Sequence, residues 1–280
     1  MNPLTIFARR FVAGERPQDA VRVGERLHAK GIKATFDKLG EDVLDRDAAT
    51  RATDAAKDLL RLIPPGIERN ISIKMSSMGQ EISRDLCLEN VRAILEVAKE
   101  IGGFVRLDME GSKLTQDTIE IFHALRESHE NVGIVLQAAL HRTPDDVKEA
   151  VRRGDRVRLC KGAYKEPPEV ALQDMGQIRE AFKRCAHQLL DAGPTPGIAT
   201  HDEELIADTI AYARAQTIPP SRFEFQMLYG LRRRRWETLV RGGYNVRIYV
   251  PFGTHWIPYF YRRLRERREN VLFVLRNLFR

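Results

Sequence analysis

ISIKMSSMGQEISRDLCLENVRAILEVAKEIGGFVRLDM, residues 71–109, begins and ends on a short β-branched run, ISIKMS (71–76) and FVRLDM (104–109), with a longer amphipathic segment between them. The same unit recurs along the chain. IKATFDK (32–38) precedes it, and VGIVLQA (132–138), RVRLCKG (156–162), GIAT (197–200), FEFQMLY (223–229) and NVRIYVP (245–251) follow, so the pattern predicts eight strands alternating with helices. A first helix is expected in RPQDAVRVGERLHAKG (16–31). Stretches such as TQDTIEIFHALRESHE (115–130) and TPDDVKEAVRRG (143–154) open on Thr and early acids, as helix starts do, and lead through basic residues to Asn or Gly. The fold class that best accounts for eight such units is α/β, a closed (β/α)8 barrel of the TIM type.

The chain has 280 residues, 43% of them hydrophobic, with no polar or low-complexity break, so one domain over 1–280 is expected. No apolar run approaches the roughly 20 residues of a membrane span. MNPLTIFARRFVAGE is too short and too soon acidic for a secretory signal. Cys87, Cys160 and Cys185 lie in no paired or metal-type spacing and suit a reduced compartment, so a cytoplasmic protein is expected. The net charge of +7 is concentrated at one end: residues 222–280 hold 14 Lys and Arg against 4 Asp and Glu, or +10, which leaves −3 for the remainder. Such a patch suits nucleic acid, an anionic membrane or an anionic ligand, and charge alone does not choose among them.

Strands of a parallel barrel are expected to be almost wholly apolar. Here seven of the eight carry polar groups toward their C-terminal ends: Lys74, Asp108, Gln137, Arg158 with Lys161, Thr200 with His201, Gln226 and Tyr249. That end of such a barrel is where active sites are built. Singly, each has a plainer reading: Lys74 snorkelling, Gln137 tying a loop backbone, His201 flanking a helix cap at Asp202. Together they read as a site, because buried charges need partners and these can supply one another. Near the C-terminus, Tyr259, Arg262, Arg263 and Glu266 follow i, i+3, i+4, i+7 spacing, which sets a phenol, two guanidiniums and a carboxylate on one side of a helix. An Arg pair of this kind grips a small carboxylate; the plainer alternative is a solvated basic face. The cations Lys74, Arg158, Lys161, Arg262 and Arg263 stand against few acids, chiefly Asp108 and Glu266, which predicts anionic guests.

No G-x-G-x-x-G or Walker loop follows a strand, no metal-ligand spacing occurs, and no Ser-His-Asp order presents itself. Two enzyme readings stay open: a Schiff-base lyase using Lys74 or Lys161 set between cations, and a cofactor enzyme in which one set of cations holds the cofactor and the Arg pair the substrate. A nucleic-acid surface is the weakest reading, because the C-terminal aromatics sit in apolar patterns, and no nucleic acid partner is expected.

LDMEGS, VLQAALHRT, VRLCKGAYKEP, ATHD, FEFQMLYGLR and VRIYVPFGTHWIPYFYRRLRE, in this order, resemble the proline dehydrogenase family, which includes the dehydrogenase domain of proline utilization A. The resemblance runs from about Arg10 to the C-terminus, and the length is similar to that of the monofunctional bacterial form. It implies a distorted (β/α)8 barrel with FAD at the strand C-terminal ends. The activity it implies is oxidation of L-proline to Δ1-pyrroline-5-carboxylate, with electrons passed to a quinone in the membrane. By the resemblance, Lys74, Arg262 and Arg263 hold the proline carboxylate and Tyr259 packs on the pyrrolidine ring. Asp108 is catalytic beside Lys74, and Arg158 lies near flavin N5. Met109, Gln137, Lys161, Gly162, Ala163, Thr200 and His201 match cofactor contacts. Glu266 and Tyr249 match functional positions, taken here as cofactor-binding and substrate-binding. Leu228 walls the proline site, and Glu41 pairs with the first arginine, Arg262. The apolar face of ENVLFVLRNLF (269–279), flanked by arginines, suits peripheral contact with an anionic membrane, or packing on the barrel itself.

By the resemblance, Tyr259 sets a bulky ring beside the carbon that carries the hydroxyl in hydroxyproline. L-proline is therefore expected to be preferred over trans-4-hydroxy-L-proline, and Tyr259→Ser to narrow the gap. Comparing kcat/KM for both substrates checks this; equal efficiency in the unmodified protein would dispose of the steric argument.

Overall fold

The computed structural model describes residues 11–40 and 43–254. Eight strands follow in chain order as a closed parallel barrel: β1 (Lys33–Lys38), β2 (Asn70–Lys74), β3 (Phe104–Asp108), β4 (Val132–Gln137), β5 (Val157–Cys160), β6 (Gly197–Ala199), β7 (Glu224–Leu228) and β8 (Asn245–Phe252). Among the described residues eight helices accompany them. The first, α1 (Pro17–His28), precedes β1; α2 (Arg46–Leu62), α3 (Arg84–Glu100), α4 (Ser112–Arg126), α5 (Thr143–Arg153), α6 (Met175–Ala192), α7 (Glu203–Ala215) and α8 (Arg233–Arg241) each link one strand to the next. The predicted strands are all present, with ends shifted by a residue or two.

These residues fall into two compact units, one of 11–134 with 248–254, the other of 135–247. In the first unit, alternation along the strands separates two faces. Ala34, Phe36, Ile71, Ile73, Val105 and Leu107 form the apolar face, all buried. The opposite face carries Thr35, Asp37, Ser72, Lys74, Arg106 and Asp108. The β2–β3 register sets Ser72 beside Arg106 and Lys74 beside Asp108, and Asp37 is the partner of Ser72 on the other side. This face is zipped by polar contacts from its lowest layer upward, starting with a Thr35–Ser72 hydroxyl pair at 3.2 Å.

Side-chain caps fix where several helices begin. Asp45 accepts from the Ala48 amide at 2.7 Å to start α2, and in the second unit Asp174 accepts from Gln177 at 2.9 Å to start α6. The helix predicted at TPDDVKEAVRRG spans Thr143–Arg153 and ends on Gly154, whose φ of +68° is left-handed. Thr143 does not cap it; its hydroxyl donates to the Gln137 carbonyl at 2.6 Å and ties the helix start to the end of β4. Thr115 is not a helix start at all. The helix begins three residues earlier, at Ser112 after Gly111, because Ser112, Lys113 and Leu114 contain no helix breaker, and Thr115 is a buried interior residue.

Gly24 of α1 permits a close approach: a Cβ there would lie 2.5 Å from Cζ of the fully buried Phe36. Gly24→Ala gains about 1 kcal/mol of helix propensity but forces overpacking that typically costs about 1–3 kcal/mol. A net fall in Tm of a few degrees is expected in a thermal melt, whereas a rise would show that α1 moves off β1 without penalty.

Candidate active site

In the first unit the C-terminal ends of β1, β2, β3 and β8 bring four polar groups together. The Lys74 ammonium bonds both carboxylate oxygens of Asp37, at 3.1 and 3.2 Å. The Tyr249 hydroxyl donates to Asp108 Oδ2 at 2.7 Å. Asp37 is 1% exposed and Lys74 8%, whereas Asp108 and Tyr249 are half-buried. Burial pushes the Asp37 carboxyl above the usual carboxylate range, the Lys74 ammonium opposes this, and the Asp108 carboxylate adds to the rise. A cavity of about 300 Å³, lined by Asp37, Lys74, Leu39, Ser77, Arg51 and other residues of β1, β2 and α2, reaches the pair. Beyond β2, Glu110 accepts from the Ser76 amide at 3.0 Å and the Ser76 hydroxyl at 2.6 Å, which fixes the turn that follows Lys74. Met109 is buried beside this turn's acid in the chain.

The second unit holds a longer network. Arg247 grips Glu224 with two bonds, Nε to Oε1 at 2.7 Å and a terminal nitrogen to Oε2 at 3.0 Å. Gln226 donates to the same Glu224 Oε1 at 2.6 Å and accepts from Arg158 Nε. The Arg158 guanidinium is thus aimed by a chain of buried partners. Gly197 makes room for the Gln226 side chain, since a Cβ there would lie 2.4 Å from Gln226 Nε2. At the end of β5, Lys161 Nζ pairs with Asp202 at 3.0 Å, and Arg179 pairs with the same oxygen at 2.8 Å. Gln137 Oε1 accepts from the Ala163 amide at 3.2 Å, the loop tie that was its plainer reading. Gly162 between them has φ +114°, and a Cβ would press on Ala139 at 3.3 Å. His201 Nε2 accepts from the Leu228 amide at 2.9 Å, which leaves the ring proton on Nδ1. Thr200 accepts from the Asp202 amide at 3.1 Å, and Asp202 caps α7 through the Glu204 amide at 3.2 Å.

The structure therefore joins Lys74, Asp108 and Tyr249 within the first unit, and Arg158 with Gln226, Gln137 with Ala163, and His201 with Leu228 within the second. Glu41, Tyr259, Arg262, Arg263 and Glu266 lie outside the described residues. Two expectations are corrected. Lys74 does not snorkel, because a buried carboxylate holds its ammonium. Nor are the strand ends poor in acids, for Asp37 and Asp202 each hold a cation. Asp37, Glu224 and Arg247 were missed although each stands in a predicted strand; an acid or arginine inside a β-branched run was itself the signal.

A profile of the proline dehydrogenase family matches residues 20–276. The chain belongs to the proline dehydrogenase family. It is 38% identical over 272 residues to proline dehydrogenase 1 of Bacillus subtilis, covering 97% of this chain and 90% of that one. It is 40% identical over 280 residues to a proline dehydrogenase of Deinococcus radiodurans, covering 97% and 89%. Among solved structures it is similar to proline utilization A from Bdellovibrio bacteriovorus inactivated by N-propargylglycine, with a TM-score of 0.85 and 27% identity over 93% of this chain and 32% of that longer protein. The family assignment agrees with the barrel and with the strings in its strands that carried the resemblance.

Burial alone would raise the Asp202 carboxyl, but hydrogen bonds from Arg179 and Lys161 and their charges outweigh it and hold it below its ordinary value. The unfolded chain binds that proton first as pH falls, so this stabilisation is complete above about pH 4 and is lost as pH drops through the lower folded value. Asp202→Asn is expected to lower Tm at pH 7 and to flatten its dependence between about pH 3 and 5. Melts across that range check this, and an unchanged acid limb would contradict it.

Proposed function

We propose that this chain oxidises L-proline to Δ1-pyrroline-5-carboxylate with FAD as cofactor, the first step of proline catabolism toward glutamate. The observation that carries the proposal is the identity of 38–40% along nearly the whole chain to proteins named proline dehydrogenase. The second unit's donors fit a flavin dinucleotide. Arg158 is held rigidly by Gln226, and Lys161 and Arg179 offer cations suited to phosphate. The Cβ-free backbone at Gly162 lets a flat or anionic group approach the chain closely.

In this reading Met109, Gln137, Arg158, Lys161, Gly162, Ala163, Thr200, His201 and Glu266 hold the cofactor. Lys74, Arg262 and Arg263 take the proline carboxylate, Tyr259 and Leu228 flank the ring, and Asp108 with Tyr249 stands beside Lys74. FAD, when bound, would supply the acceptor for a hydride from the ring carbon next to nitrogen, with a quinone as the final electron acceptor. The protein's part is placement: charge-assisted bonds to the carboxylate fix the ring in a reactive pose. Arg158 supplies positive charge where negative charge develops. The ring nitrogen must be deprotonated to release electrons, so turnover rises with pH as the bound amine loses its proton. Among the described residues no helix is long and apolar enough to cross a membrane. In this reading the +10 charge of residues 222–280 favours anionic lipid, at whose surface the quinone would be met.

The Schiff-base alternative required a lysine set among cations. Lys74 and Lys161 instead each face a carboxylate, which favours the cofactor reading. The purified protein is expected to show flavin absorbance that bleaches when L-proline is added without oxygen. A colourless, folded protein that forms a borohydride-trapped lysine adduct would overturn the proposal.

A further inference from the structure

Asp37 is the most deeply buried member of the first unit's cluster, and the reading above gives it no task. Its carboxylate bonds Lys74 Nζ through both oxygens, at 3.1 and 3.2 Å. The β1–β2 register makes Asp37 the direct partner of Ser72, so Lys74 is its diagonal neighbour on the same face, within reach of a long side chain. On the other side Lys74 is the direct partner of Asp108, whose Oδ2 takes the Tyr249 hydroxyl at 2.7 Å. One ammonium therefore stands between carboxylates on the two strands that flank it. Lysine is a point charge on a flexible stem, and left to itself it would not hold one geometry. The two-oxygen grip of a 1% exposed carboxylate supplies that geometry.

We propose that Asp37 is a positioning residue: its carboxylate holds the Lys74 ammonium in the place in which Lys74 receives the substrate's carboxylate. This rests on the reading of Lys74 as a carboxylate-binding residue. Without the Asp37 carboxylate the ammonium loses the two-oxygen grip that orients it, and its hold on an anion weakens. A purely structural Asp37 would instead affect all ligands alike, and a merely competing Asp37 would, on removal, let anions bind more tightly.

The test uses the holoprotein and two fragments of proline: cyclopentanecarboxylate, which has the acid and no amine, and pyrrolidine, which has the amine and no acid. Binding is followed by ligand-observed NMR titration. Asp37→Asn is expected to raise the Kd of cyclopentanecarboxylate at least about tenfold, the scale of a lost charge-assisted bond, and to leave that of pyrrolidine within about twofold. Asp37→Glu keeps the buried charge, and with it the folded state, but moves it by one methylene, and is expected to raise the carboxylate's Kd about threefold or more. If Asp37→Asn shifts both fragments equally, shifts neither or tightens the carboxylate, the proposal is overturned. An unchanged carboxylate Kd in Asp37→Glu overturns it as well. Lys74→Met separates the two claims. If it leaves carboxylate binding unchanged, the reading of Lys74 fails; if it weakens binding while Asp37→Asn does not, Asp37 alone fails. Adding Asp37→Asn to Lys74→Met is expected to change nothing further.

Discussion

A charge buried in a barrel persists only beside its opposite, and that constraint organises both units. In the first, Lys74 is held by Asp37, and Tyr249 bonds the neighbouring Asp108. In the second, Arg247, Glu224 and Gln226 form a chain of bonds that ends on Arg158. Removing one partner of Lys74–Asp37 or of Arg247–Glu224 strands the other without its counter-charge, a loss of about 3–5 kcal/mol for a buried pair. The polar groups are thus arranged in depth. The outer members meet ligands in the proposed function, and the inner ones hold them in place.

The two units also differ in what they present. The first unit's cluster has two carboxylates around one ammonium, which in the proposed function would receive a zwitterion. The second unit presents Arg158 and Lys161 with backbone donors, which in the proposed function would hold the phosphates and ring of the cofactor. Family membership and these two chemistries point the same way.

Much of the architecture was legible in the sequence because each strand is a local β-branched run and several helices carry their own start or stop signal, such as Asp45, Asp174 and Gly154. Eight strands and the C-terminal positions of Lys74 and Asp108 could be read from spacing alone, whereas Arg158 stands near the start of its strand, level with Gly197. What escaped was what distance along the chain conceals. Asp37 and Lys74 are 37 residues apart, and Glu224 and Arg247 are 23 apart, so neither acid announces its partner locally. Attention to strand ends also passed over the deeper layer, where Thr35, Ser72, Arg106, Glu224 and Arg247 replace the apolar filling expected of a barrel interior. Thr115 misled because a buried threonine inside a helix resembles a cap until the preceding Gly111 is weighed.

The central claim is that a fixed, paired Lys74 receives the carboxylate of the substrate. The most direct measurement is a crystal structure of the flavin-loaded protein with cyclopentanecarboxylate. The ligand's carboxylate is predicted within hydrogen-bond distance of Lys74 Nζ, with the bonds from Nζ to Asp37 retained. A carboxylate bound away from Lys74, or a lysine that has left Asp37 to reach it, would contradict the account.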